Sequence, residues 1–122
     1  MDKPKEYSLT WEVTDEMTAK RIGTAGARIL STPNMLALME AAALELAKAY
    51  LDDGTTTVGV EAHVRHLAST PVGMKVTATA TLRSIERRKM WFDIVVTDEN
   101  GKCGEGSHLR IMVPNKDRSK QA

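Results

Sequence analysis

Glu40 stands among apolar neighbours. At three and four positions along a helix it meets Leu36, Ala37, Ala43 and Leu44, and no lysine or arginine lies within helical reach. A surface glutamate usually has polar company, as Glu45 has Lys48. The spacing therefore places Glu40 on or beside a buried face. Taking a carboxylate out of water is costly, and desolvation favours the protonated form, which tunes such a group for general-base work. The plainer alternative is a glutamate at the helix border, its head group in water or on an arginine.

His66 is the second candidate. It ends an alternating segment in which Thr56, Val58, Val60, Ala62 and Val64 share its parity, while Glu61, His63 and Arg65 take the other. An inward imidazole at a strand end, just before a turn, sits where a cavity can open. The alternative is a core histidine satisfied by a backbone carbonyl. His63 belongs to the solvated face. His108 follows Gly104-Glu105-Gly106-Ser107, whose small residues suit a close ligand, a close chain or a bulge. Thr32 precedes Pro33 and suits a helix cap. A helix start also offers free N–H groups and a positive dipole end to a carbonyl oxygen that becomes an anion. Gly59 interrupts a run of branched residues, which lets a ligand approach the backbone.

Ordinary elements must hold these residues. A short strand is expected near Tyr7–Val13. A loop or lid with one helical turn is expected to follow from Thr14 to Ser31. Met35, Leu36, Met39, Ala42, Ala43, Leu46, Ala47 and Tyr50 recur at helical spacing, and Asp52-Asp53-Gly54 closes that helix with a left-handed glycine. Then come strands: Thr56 to His66, Val76 to Arg83, Met90 to Thr97 and Lys102 to Val113. The signals Thr70-Pro71-Val72-Gly73 and Asp98-Glu99-Asn100-Gly101 make the turns. The order is one strand, one long helix, then a four-strand meander. It predicts an α+β fold in which the helix covers the apolar face of an antiparallel sheet.

Composition narrows the function. Seventeen basic residues against sixteen acidic ones give a net charge of +1, which is no footprint for nucleic acid or an anionic membrane. No apolar run reaches the roughly 18 residues of a membrane span. Cys103 is the only cysteine, so no intrachain disulfide forms, and a cytoplasmic location is expected. At 122 residues the chain is expected to be one domain, with a flexible tail from Asn115. Three scattered histidines and one cysteine do not make a metal-ligand pattern, and no nucleotide-binding glycine motif is present. The basic run Arg83, Arg87, Arg88 and Lys89 is either a solvated turn or a contact for phosphates.

Three segments together resemble the fluoroacetyl-CoA thioesterase-like family. They are Leu30 to Glu40 (LSTPNMLALME), Thr57 to Gly73 (TVGVEAHVRHLASTPVG) and Gly104 to Arg110 (GEGSHLR). The resemblance implies a hot-dog fold, with a long central helix wrapped by an antiparallel sheet. It implies a homodimer, or a tetramer built from dimers. It implies a catalytic set of Thr32, Glu40 and His66, with Gly59 against the substrate. Arg65, Arg87 and Arg88 are then the candidates for holding the CoA part. The fluoroacetyl-specific members carry phenylalanines in the lid; here Arg21 to Leu30 has no aromatic residue. A small or medium acyl-CoA, hydrolysed without any cofactor, is the implied substrate. A non-catalytic acyl-CoA sensor and an enoyl-CoA hydratase on the same fold are the alternatives.

Overall fold

The computed structural model describes residues 3–23 and 27–116. Strand β1 (Glu6–Glu12) is followed by two short 3-10 turns, Asp15–Met17 and Ala19–Ile22, and then by helix α1 (Thr32–Lys48). Four strands complete the chain: β2 (Thr55–His66), β3 (Lys75–Glu86), β4 (Lys89–Asp98) and β5 (Gly101–Pro114). All pairings are antiparallel, and the sheet runs β1-β3-β4-β5-β2.

Alternation builds the inner face of the sheet. Val76, Ala78 and Ala80 of β3 and Met90, Phe92, Ile94 and Val96 of β4 are all buried. They meet Met35, Leu38, Met39, Ala42, Ala43, Leu46 and Ala47 of α1. The helix can sit this close because small side chains line it and because β5 has glycines beneath it. A Cβ on Gly104 would lie 2.5 Å from Met35 Sδ, and one on Gly106 would collide with the His63 carbonyl and crowd Met39. The small residues before His108 thus make room for the helix and the neighbouring strand. The ladder with β4 is broken one residue before Gly104, where the register shift leaves Cys103 as an extra residue.

Three expectations need correction. The four strands after the helix are not a simple meander. Only β3, β4 and β5 are; β2 crosses to the far edge and pairs with β5. Second, the face of β2 is not continuous. The register shifts between Gly59 and Glu61, leaving Val60 as a bulge. Below the bulge Thr57 and Gly59 face inward, so Val58 and Val60 are 44% and 53% exposed. Above it Ala62, Val64 and His66 face inward, opposite His108, Gly106 and Gly104. Third, the helix stops at Ala49, before Asp52-Asp53-Gly54. Gly54 does adopt a left-handed φ of 82°, but in the turn into β2.

The Thr14–Ser31 segment is tied down where described. Ala19 and Ser31 donate N–H groups to the Ile29 and Met17 carbonyls at 2.9 and 2.8 Å, and Leu30 is buried. Thr24 to Gly26, in the middle of the expected lid, lie outside the described residues. Asn115, placed in the expected tail, gives its N–H to the Gly54 carbonyl at 2.7 Å. Residues 117–122 lie outside the described residues. No helix among the described residues is long and apolar enough to cross a membrane.

Candidate active site

The site begins at the start of α1. Ser31, not Thr32, is the cap: its Oγ accepts from the Asn34 backbone N–H at 3.2 Å and from Asn34 Nδ2 at 2.7 Å. Thr32 becomes the first helical residue, and its hydroxyl is free for another partner. That partner is His66, delivered by the end of β2: Thr32 Oγ1 lies 2.8 Å from His66 Nδ1. Thr32 is exposed, so a substrate can reach it. Pro33 has no N–H and Asn34 gives its own to Ser31. The first three helical positions therefore leave only the Thr32 N–H for a developing oxyanion.

His66 Nε2 is buried and has no hydrogen-bond partner among the described residues. Either the Thr32 hydroxyl donates to Nδ1 and Nε2 carries the ring proton, or Nδ1–H donates to Oγ1 and Nε2 keeps a lone pair. A buried polar atom left unpaired costs about 1–3 kcal/mol in either case.

Glu40 belongs to a second cluster. Its Oε2 lies 4.0 Å from His108 Nε2. Below it sits Gly59, and a Cβ there would come 2.9 Å from His108 Cε1, 3.2 Å from Glu40 Oε2 and 3.3 Å from Arg110 Nη1. Four residues from three elements thus converge on one point. Arg110 and His108 are buried, at 8% and 2% exposure. Arg110 donates Nε–H to Thr57 Oγ1 at 2.7 Å and Nη2–H to the Thr57 carbonyl at 3.0 Å. Burial pushes the pKa of Arg110 down, opposed by the Glu40 carboxylate. Burial also holds the His108 pKa below that of an ordinary histidine, with the Glu61 carbonyl working against the shift and the Arg110 charge working with it. The Glu40 side chain itself is 42% exposed. Glu40 thus stands beside the buried face, half open to solvent, with Gly59 beneath the carboxylate.

Thr32 and Glu40 are eight residues apart on one helix, or about 12 Å at the helical rise per residue. One chain therefore holds two separate clusters, Thr32 with His66 and Glu40 with Gly59, and does not bring the expected trio together. His63 lies on the outer face as expected, 69% exposed and 3.2 Å from Glu61. The arginines are also dispersed. Arg65 is exposed, pairs with Glu105 at 2.8 Å, and stands on the face away from Thr32. Arg87 and Arg88 form the β3–β4 turn, lining a groove of about 320 Å³ with Glu86, Lys89 and Ile111. Ile111 lies six residues along β5 from Glu105, so about 20 Å separates the two basic regions. No group of three or more metal-ligating side chains occurs among the described residues.

Arg110 was missed in the sequence because an arginine in a strand reads as surface. Its signal was parity: it shares the inward side with Gly104, Gly106 and His108.

The sequence matches the fluoroacetyl-CoA-specific thioesterase family over residues 13–116, which spans both clusters. The chain belongs to that family. A fluoroacetyl-CoA thioesterase of Streptantibioticus cattleyicolor is 35% identical over 85 residues, covering 70% of this chain. The match spans 61% of that relative's length. Among solved structures, a mutant of the fluoroacetyl-CoA-specific thioesterase superposes with a TM-score of 0.86 at 26% identity, covering 99% of this chain and 94% of that one. The same enzyme in complex with fluoroacetate and CoA gives 0.84 at 28% identity, over 93% and 96% of the two chains. A Thermus thermophilus member of the thioesterase superfamily gives 0.85 at 26% identity, over 98% and 90%. The fold is the hot-dog fold of these family members, with α1 as the central helix.

Proposed function

We propose that this protein hydrolyses a small or medium acyl-CoA thioester to the free acid and CoA. The observation that carries it is the Thr32 Oγ1 to His66 Nδ1 contact of 2.8 Å at an accessible helix start, in a member of this family. Water adds to the thioester carbonyl carbon, directly or after the acyl group has passed to Thr32 or Glu40. The C–S bond breaks, and the leaving thiolate takes up a proton. His66 moves the proton at Nδ1, the Thr32 N–H faces the oxyanion, and Glu40 serves as the base.

The two clusters are half-sites completed by a homodimer. Strand β2 is an edge strand with Val58 and Val60 exposed, a surface that a second copy would cover. A two-fold axis perpendicular to α1 would reverse the helix direction in the partner. It can then bring Glu40 of one copy toward Thr32 and His66 of the other, supplying a partner for His66 Nε2. Arg87 and Arg88 at the β3–β4 turn, and Arg65 at the opposite end, are the cations offered to CoA phosphates. A buried, reduced Cys103 fits a cytoplasmic location.

The test is thiol release over a panel of acyl-CoAs from acetyl to octanoyl. Turnover on at least one, lost in Thr32→Ala, is expected. CoA binding with no turnover on any would make the protein a binder instead. Mixing inactive Thr32→Ala and Glu40→Gln chains tests the shared site. About a quarter of wild-type activity should return, because half the dimers are mixed and each mixed dimer rebuilds one intact site. No recovery on subunit exchange would place the whole site within one chain.

A further inference from the structure

The bulge at Val60 decides what lies under Glu40. Without it, the parity of Ala62 and Val64 would continue down the strand and turn Val58 and Val60 inward. A valine side chain would then press on the point where Glu40, His108 and Arg110 meet. With it, glycine takes that place. A bulge interrupts a ladder and needs other bonds to hold it.

Those bonds are visible. His108 Nδ1 lies 2.8 Å from the Glu61 carbonyl, above the bulge. Arg110 Nη1 lies 3.1 Å from His108 Nε2, and the guanidinium then grips Thr57 twice, below the bulge. The chain of bonds Thr57–Arg110–His108–Glu61 therefore ties together the residues two positions either side of Gly59. Donor logic fixes the imidazole. A carbonyl only accepts, so Nδ1 carries the proton. An arginine only donates, so Nε2 offers its lone pair. Neither nitrogen is left for a substrate. The 4.0 Å from Nε2 to Glu40 is beyond a hydrogen bond, so the carboxylate stays uncommitted to the ring.

We infer that His108 is a positioning residue: as a neutral ring with its proton on Nδ1, it pins the Val60 bulge and so fixes Gly59 beneath the Glu40 carboxylate. It is not an acid or a base in the reaction. The inference rests on Glu40 acting in the proposed hydrolysis, but the geometry of the bulge is testable without any substrate. Burial disfavours the imidazolium, which would release Arg110 and draw in Glu40.

Two amides dissect the ring. In His108→Asn the short amide can still donate to the Glu61 carbonyl. In His108→Gln the longer one reaches toward Arg110 and loses the bulge donor. His108→Gln should lower kcat by about 10²-fold, the cost of misplacing a catalytic group by about 1 Å. KM should stay within about threefold, and His108→Asn should recover most of kcat. Amide hydrogen exchange across residues 57–62 should speed up in His108→Gln and stay near wild type in His108→Asn. Nitrogen-15 NMR of wild-type His108 at pH 7 should show a proton on Nδ1 and a bare Nε2. The opposite tautomer, or equal kcat and equal exchange in the two variants, overturns the inference. If wild type releases no thiol from any acyl-CoA, the proposed function fails. The exchange and tautomer results then decide the positioning role by themselves.

Discussion

Gly59→Ala adds one methyl group at the most crowded point of the site. Its carbon would lie 2.9 Å from His108 Cε1, closer than real side-chain carbons come, and 3.2 Å from Glu40 Oε2. The His108 ring has nowhere to go, being 2% exposed and bonded at both nitrogens. Glu40 is freer, with a side chain 42% exposed, so it should swing away first. Forcing a methyl into a packed site costs about 1–3 kcal/mol. Replacing glycine within a strand returns about 0.5–1 kcal/mol of backbone entropy. The net loss is about 0–2.5 kcal/mol, or a fall in Tm of up to roughly 10 °C for a chain of this size. Activity should suffer far more, by about 10²-fold in kcat, because the displaced group is the carboxylate. Thiol release and thermal unfolding on the same preparation give both numbers. If Gly59→Ala keeps wild-type kcat and melts no lower, the convergence of side chains over Gly59 has no part in catalysis.

Glu40→Gln keeps the shape and removes the basicity, so it should lose about 10²–10⁴-fold in kcat with an unchanged melting temperature, as measured by thiol release and calorimetry. His66→Ala should cost far more turnover than His63→Ala, because only His66 reaches Thr32; equal losses would mean that His66 does not serve the reaction. Stability should fall as pH drops below about 6.5, where a histidine in the unfolded chain takes up its proton. His108 in the folded chain resists protonation, so the unfolded state binds more protons there and gains. Urea midpoints at pH 7.5 and 5.0 should show this fall, and His108→Gln should reduce it; the paired Asp93 and Glu105, lowered by Arg83 and Lys102, act only at more acid pH. Finally, kcat/KM for fluoroacetyl-CoA should not exceed that for acetyl-CoA by several hundredfold, since Arg21 to Leu30 lacks an aromatic residue and size alone discriminates weakly.

Much was legible in the sequence because it is local. Helix α1 follows from apolar residues three and four apart, and β3, β4 and β5 from alternation between turn signals. These patterns depend only on the periods of 3.6 and 2, which each segment carries within itself. Glu40, His66, Thr32 and Gly59 were each conspicuous for a residue type that did not suit its neighbours. What the sequence could not determine is what depends on distant partners. The cap passed from Thr32 to Ser31, which released the hydroxyl for a histidine 34 residues away. Strand β2 went to the edge beside β5, because hydrogen-bonded neighbours need not be neighbours in the chain. One extra residue at Val60 reversed the face of half a strand, and a period of 2 carries no mark of where it will be broken. Arg110 became a buried anchor because Thr57 and His108, on either side of it in space, satisfy a charge that would otherwise have stayed in water.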